Sequence, residues 1–510
     1  MGKSRTTYSA LNAIFAILLT LVNGLLGIVV TKLVIDRFGS DFNGLNSTAN
    51  QIINVLLILE GGFTLASNVS LFAPLSKADY VISNGILSAT QKKFKRIGVI
   101  FLFFGGIVAL IYSLLVVSDL PREFVFTVII MAVVPQALNL FYTTTYRVLL
   151  QTQQKEFIIS GFTALTIGLG HITNIILIYN NGEMWMVRFV TMVFAIVNCV
   201  LITQYTKKSN AFLDMSVSPM PHLIKGTNDV LVQKITSVIY NSWPIVFLSI
   251  SPSGGTKLSS VYSVYNNVFV IIKALLHGVI DAPRLGFGQM LKEKERSEVW
   301  TVFKEYEFIS IVSTFVMMTT GCAMLLPFIG IYTKGVSDIN YYDTYIATFM
   351  VSIATIEMLH IPSGHIINMS GNFRISKYFQ IIACSVLVVS MAFFGSLWGV
   401  YGMLASLLFV AILLAFLEII YVHHYFFKGK ILEFIVLILP FLLTGILCSY
   451  VELNAFLRIN GVIEFVLCGF VILLVNSCLA IVLGFVFNRK ETSNCLKRTK
   501  AIMVRLRGKK

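Results

Sequence analysis

Charge is what this sequence has least of. Of 510 residues only 12% are Asp, Glu, Lys or Arg, about half of the 25% usual in soluble globular proteins. Hydrophobic residues make up 56%, and mean hydropathy is +0.83. That shortage excludes a water-soluble protein, because there is too little charge to cover a water-facing surface of this size. The seven cysteines form no C-x-x-C pair and fall mostly within apolar runs, so they read as small core residues rather than a disulfide framework. G-x-x-x-x-G-K-[ST], H-E-x-x-H and G-x-S-x-G are all missing, which excludes P-loop ATP drive and leaves no motif for a hydrolase. No external loop is expected to exceed about a dozen residues, too short for the outer catalytic domain of a membrane-embedded transferase or polymerase.

Long apolar runs are what remains. A transmembrane helix needs about 20 mostly apolar residues. Runs of that kind lie near 10–35, 47–72, 97–117, 124–146, 157–179 and 185–205, then near 231–250, 259–281, 307–331, 343–368, 378–397, 401–424, 431–450 and 461–487. The first exceeds the 7 to 15 residue apolar stretch of a signal peptide and is expected to stay in the mature chain. The expected fold is an all-α polytopic membrane protein of about fourteen spans. It divides into a six-helix bundle at 1–205, a cytoplasmic linker at 206–230 with Lys207, Lys208, Pro219, Pro221 and Lys225, a second six-helix bundle at 231–424, a terminal helix pair at 425–487 and a basic tail at 488–510.

The net charge of +15 is topological. Thirty of the 39 Lys and Arg fall at the N-terminus, around 77–96, 147–155, 207–225, 284–304, 374–377 and 428–430, and in the tail, which are alternate loops of one face. The opposite loops hold Lys32, Arg37, Arg122, Arg188, Lys257, Lys334 and Arg458. The Lys/Arg excess assigns the first set and both termini to the cytoplasm, and removes any need for a nucleic-acid partner.

Transporters are often built from repeated halves. A shift of 213 residues sets Leu45 on Leu258, Ser47 on Ser260, Asn54 on Asn267, Val55 on Val268 and Glu60 on Lys273; a shift of 219 sets Gln153-Gln154-Lys155 on Asn372-Phe373-Arg374. The near-equal shifts suggest a duplicated six-helix unit.

Charges inside the bilayer cost about 2.5 to 3.5 kcal/mol on insertion scales, so each needs a cavity or a partner. On span eight Lys273, His277 and Asp281 recur at i, i+4 and i+8, with Tyr262 and Asn266 further out on roughly the same face. Lys273 can hold an anionic head group there while His277 and Asp281 relay protons, or the three can form a packing network. Span two carries Asn46, Asn50 and Asn54, then Glu60, whose apolar setting suits proton coupling or a structural hydrogen bond. Lys234, near the start of span seven, can snorkel to the head groups or bind substrate. Span ten holds Glu357 and His360 ahead of Pro362 and His365, titratable groups near an expected kink. Metal binding by this set is weakly supported, and none is expected. His423 and His424 are read as interfacial.

The chain contains Arg37-Phe38-Gly39, Asn43-Gly44-Leu45, Glu60-Gly61-Gly62-Phe63-Thr64-Leu65-Ala66 and Ala73-Pro74-Leu75, ahead of a basic loop with Lys92, Lys93, Lys95 and Arg96. In this arrangement it resembles the Wzx-type O-antigen and capsule flippases of the multidrug/oligosaccharidyl-lipid/polysaccharide exporter superfamily. The resemblance implies a bacterial inner-membrane protein that moves an undecaprenyl-diphosphate-linked oligosaccharide between leaflets. It implies two bundles in a MATE-like inverted V across a cationic cavity, and a polysaccharide polymerase and chain-length machinery as partners. The diphosphate would meet Lys273, with Lys234, Arg188 or Arg284 as further cations and Asn266 and Asn54 as polar contacts. Glu60, Asp281, His277, Glu357 and His360 would couple a proton or sodium gradient, with no cofactor. The rivals are a multidrug cation antiporter of the same fold, which would prefer an acidic and aromatic cavity, and a membrane-embedded polysaccharide polymerase.

Overall fold

The computed structural model describes residues 5–224, 228–281, 283–456, 459, 461–495 and 497. Among them there are fifteen α-helices and no strand. They are α1 (Arg5–Leu56), α2 (Phe63–Ser76), α3 (Tyr80–Leu115), α4 (Arg122–Leu138), α5 (Thr144–Thr152), α6 (Glu156–Tyr179), α7 (Met184–Ser209), α8 (Asn228–Ile250), α9 (Thr256–Ile280), α10 (Arg284–Glu293), α11 (Arg296–Tyr332), α12 (Thr344–Met369), α13 (Phe373–Ile420), α14 (Ile431–Phe456) and α15 (Val462–Phe487). The chain is an all-α polytopic membrane protein. Lys225, Arg458 and most of the basic tail, named above from the sequence, lie outside the described residues, as does the side chain of Lys234.

Eleven helices are long and apolar enough to cross a membrane. Two of these stretches, Leu11–Glu60 and Phe373–Phe426, run to 50 and 54 residues. At about 1.5 Å per residue each would exceed twice the roughly 30 Å hydrocarbon thickness. Each is in fact two helices meeting at a glycine with positive φ, Gly39 (φ 85°) and Gly399 (φ 58°). Counting each as two and adding the shorter apolar helix Ile235–Ile250 gives fourteen helical segments among the described residues, beside the fourteen apolar runs of the sequence.

Positive-φ residues recur at a near-constant spacing. Gly39 and Gly255, Gln154 and Gly371, and Asn181 and Gly399 each hold a left-handed residue between successive helices, 216, 217 and 218 positions apart. Span two, expected to run unbroken from 47 to 72, is interrupted: a 3-10 turn at Leu57–Glu60 ends at Gly61 and Gly62, both left-handed (φ 61° and 69°). Hydropathy is blind to that break, because glycine pairs cost little on an apolar scale while permitting a backbone other residues resist. Span eight, expected at 259–281, is the single helix α9, with the separate α10 beginning only after Pro283.

The chain packs as two units. Unit 1 comprises 1–261 with 335–339, and unit 2 comprises 262–334 with 340–510. Helix α8 thus packs in unit 1, although the sequence repeat groups it with the second bundle. The core of unit 1 gathers Phe42, Leu45, Phe101, Val125 and Val133. Its second α1 segment begins with a built cap: Ser40 donates from its backbone N–H (2.7 Å) and hydroxyl (2.8 Å) to Asp338. Asp41 beside it accepts from Asp119 N–H (2.7 Å), Ser118 (3.0 Å) and Thr256. In unit 2, Phe308, Ile311 and Phe315 of α11 pack on Phe441 of α14 and Leu483 of α15, which holds the terminal pair to the bundle.

Candidate functional site

A cavity of about 370 Å³ opens inside unit 1. The second segment of α1 brings Asn50 and Asn54 to it, α4 brings Gln136, α5 brings Arg147, and α7 brings Arg188 and Asn198. Between α4 and α5 the chain makes a wide π turn at Asn139–Thr143, just after Pro135, whose missing N–H already opens the helix ladder. Asn139 on that turn also lines the cavity.

The electrostatics of this cavity are one-sided. Arg188 is 9% exposed and donates to Asn50 Oδ1 at 3.2 Å, a neutral acceptor. Arg147 Nε, Asn139 Oδ1 and Asn198 Oδ1 are buried with no hydrogen-bond partner among the described residues. No Asp or Glu is found among the described lining residues. Two guanidinium groups in a carboxylate-free, amide-rich cavity have the chemistry to take an anion, because an unpaired buried cation is costly and a phosphate takes charge-assisted bonds from arginine. Arg188 and Cys199, which neighbours Arg147 in the same lining, are separated along α7 by on the order of 16 Å at helical rise. The two cations therefore stand at different depths.

The sequence reading counted Arg188 with an external loop and Arg147 with the cytoplasmic loop 147–155. Both lie on helices, Arg188 in the second turn of α7 and Arg147 in α5. Arg147 was missed as a site residue because the apolar run ends at Tyr146, whereas the helix continues to Thr152. The run Thr143-Thr144-Thr145-Tyr146-Arg147 is the signal that could have found it, a polar helix end without turn residues.

Unit 2 holds acid–base pairs instead. Lys273 Nζ lies 3.0 Å from Glu357 Oε2, with side chains 23% and 16% exposed. The i+4 reading of α9 holds for His277 and Asp281, which meet at 3.2 Å just where the helix ends. Lys273 instead turns to α12. Tyr306 donates to the Ile280 carbonyl at 2.8 Å and lies 2.8 Å from His365 Nδ1, while His365 Nε2 faces Asp281 at 3.4 Å. With the tyrosine proton committed to the carbonyl, His365 Nδ1–H is the donor to Tyr306, and Nε2 is the nitrogen that faces Asp281. His360 Nδ1 lies 2.8 Å from Glu418. Glu357, His360 and His365 thus turn to three different partners rather than converging as metal ligands.

Glu60 sits at the break in span two and accepts from Thr64. Asn54 shares the cavity with Arg188 and also donates to Gln51 at 3.1 Å. Asn266 is half-buried on α9, and Arg284 is exposed at the start of α10. Helix α12 runs helical through Pro362 to Met369. His423, expected at the interface, is buried: its side chain is 1% exposed and Nε2 lies 3.2 Å from Glu307.

Several solved structures share this architecture. A multidrug resistance MATE family transporter of the MOP superfamily, in an inward-facing conformation, superposes with a TM-score of 0.64 at 13% identity over 80% of this chain and 95% of that one. The lipid II flippase MurJ, in an inward closed conformation, gives 0.65 at 13% identity over 92% and 98%. The MATE multidrug transporter DinF-BH gives 0.57 at 12% identity over 84% and 97%. The chain has the fold of these proteins. No family model matches it, and no curated protein matches it in sequence.

Proposed function

We propose that this chain is a flippase for a lipid-linked oligosaccharide, the substrate class being an undecaprenyl-diphosphate-linked repeat unit carried across the bacterial inner membrane by alternating access. The observation that carries the reading is the unit 1 cavity. Its Arg147 and Arg188 supply positive charge with no carboxylate beside them, and its asparagines and glutamine supply the amide donors and acceptors that sugar hydroxyls take. A carrier of cationic drugs needs the opposite charge there, so the multidrug reading is the weaker. Lipid II, the cargo named for one fold neighbour, is itself a lipid-linked molecule, which agrees with this substrate class.

In this reading the cytoplasmic face carries the Lys/Arg-rich loops and both termini, and the chain is two six-helix repeats, 1–205 and 231–424, with a terminal pair at 425–487. Transport is coupled to a proton or sodium gradient through the unit 2 acids. Asp281 with His277 and His365, and Glu357 with Lys273, are the coupling groups, with His360 and Glu60 as secondary ones. A polysaccharide polymerase and its chain-length machinery would receive the product. The test is deletion of the gene in a strain that makes surface polysaccharide. Loss of the outer-leaflet oligosaccharide with persistence of the inner-leaflet intermediate supports the proposal; unchanged surface polysaccharide ends it.

A further inference from the structure

A second cavity, of about 360 Å³, lies in unit 2 where three membrane-crossing helices end together. His423 belongs to the wide turn after α13, Lys430 precedes α14, and Asn488 follows α15. Helices that end together mark the level of the lipid head groups, and these ends lie on the face that carries most of the lysines and arginines.

The wall of this cavity has two chemistries. Leu432, Val436 and Phe487 line it and are 60%, 57% and 59% exposed, a surface for acyl chains. The polar lining is Lys304, already held by Glu433 at 3.1 Å, and Lys430 and Glu491, which make no ion pair among the described residues. Glu307, only 1% exposed, lines it too. One of its oxygens faces His423 Nε2 at 3.2 Å, and the other, Oε1, is buried with no hydrogen-bond partner among the described residues. His423 cannot reach both, because its Nδ1–H donates to the Ile419 carbonyl at 3.1 Å. A buried carboxylate oxygen without a donor is costly, so the donor belongs to whatever fills the cavity.

We propose that this cavity binds the head group of a zwitterionic aminophospholipid. The primary ammonium donates to Glu307 Oε1, the phosphate meets Lys430 at the rim, and the acyl chains run along Leu432, Val436 and Phe487. A quaternary ammonium has no N–H to give Glu307. A purely anionic head group brings no ammonium for Glu307, and would face three glutamates with Lys430 alone of the lining lysines not already in an ion pair among the described residues. The inference does not depend on what the protein transports.

Native mass spectrometry of the full chain tests it, with the detergent-purified protein offered equimolar phosphatidylethanolamine, phosphatidylcholine and phosphatidylglycerol. Phosphatidylethanolamine should be retained about tenfold over phosphatidylcholine, the ratio one charge-assisted hydrogen bond confers. Glu307→Leu, which removes the acceptor at similar volume, should bring the two within about twofold. Lys430→Gln, at an exposed position, should lower retention of both about threefold by removing the phosphate contact. Equal retention of the two zwitterionic lipids by the unaltered protein, or preference for phosphatidylglycerol, overturns the proposal, as does a folded Glu307→Leu protein that keeps its preference.

Discussion

Lys273 Nζ stands 3.0 Å from Glu357 Oε2, so the cation that span eight carries into the membrane brings its counter-charge from α12. Breaking such a pair is worse than removing it, since the survivor is left as an uncompensated charge. Lys273→Ala should cost about 3 kcal/mol and lower the thermal midpoint in a fluorescence melt. Replacing both residues with methionine should recover more than half of that loss. If the double variant is stable yet does not transport, the pair serves transport and not packing alone; if it transports normally, Lys273 holds no substrate.

The two arginines of the unit 1 cavity stand at different depths and share no partner. Arg147→Ala and Arg188→Ala should each lower transport of lipid-linked oligosaccharide into proteoliposomes about tenfold or more, the loss expected for one charge-assisted contact to phosphate. Effects at separated sites add in free energy, so the double variant should show the product of the two losses. Arg188→Lys should restore part of the activity, because charge returns without the planar fork. A double variant no worse than the single ones would mean that the arginines hold one group together.

Gly44 is packed against the carbonyl of Thr256, where an added Cβ would lie 1.7 Å from the oxygen. The neighbouring Asn43 donates to Ser260 at 2.7 Å across the same contact. Gly44→Ala must push α1 from α9, breaking that bond and the Thr256 link to Asp41. The expected result is loss of most folded protein, read as the monodisperse fraction in size-exclusion chromatography. Gly24→Ala, in the same α1 helix with nothing within 4 Å of the added carbon, should be neutral or slightly stabilising.

Asp281 faces both His277 (3.2 Å) and His365 (3.4 Å). If this cluster couples the gradient, Asp281→Asn should abolish acceleration by an imposed proton or sodium gradient while substrate binding in detergent stays within about twofold. Tyr306→Phe, which leaves the imidazole without its hydroxyl partner, should weaken coupling less than Asp281→Asn does. Equal gradient response in Asp281→Asn and unaltered protein would remove the cluster from the mechanism.

Much of the architecture was legible in the sequence because membrane spans are set by composition over about 20 residues. Fourteen apolar runs correspond to the described spans, including the pairs joined at Gly39 and Gly399. What composition could not convey was backbone torsion and the choice of partner. The Gly61 and Gly62 break vanished inside an apolar run. Lys273, His277 and Asp281 share a periodicity, but the end of α9 keeps only the last two together, and Glu357 lies 84 positions away on another helix. Arg147 was hidden by the assumption that a helix stops where its hydropathy does.

The three matched joints have a consequence for how the protein works. The joints need not share a residue type: Asn181 has nearly the φ of Gly399 (57° and 58°), and Gln154 and Gly371 are both positive (60° and 80°). Between those joints the unit 1 cavity is lined by cations with no acid among its described lining residues, while unit 2 holds acids with their own bases. If those acids drive transport as proposed, a chain assembled from two first halves would be expected to turn at every joint and still fail as a machine, with two places to grip a cargo and nothing to drive it.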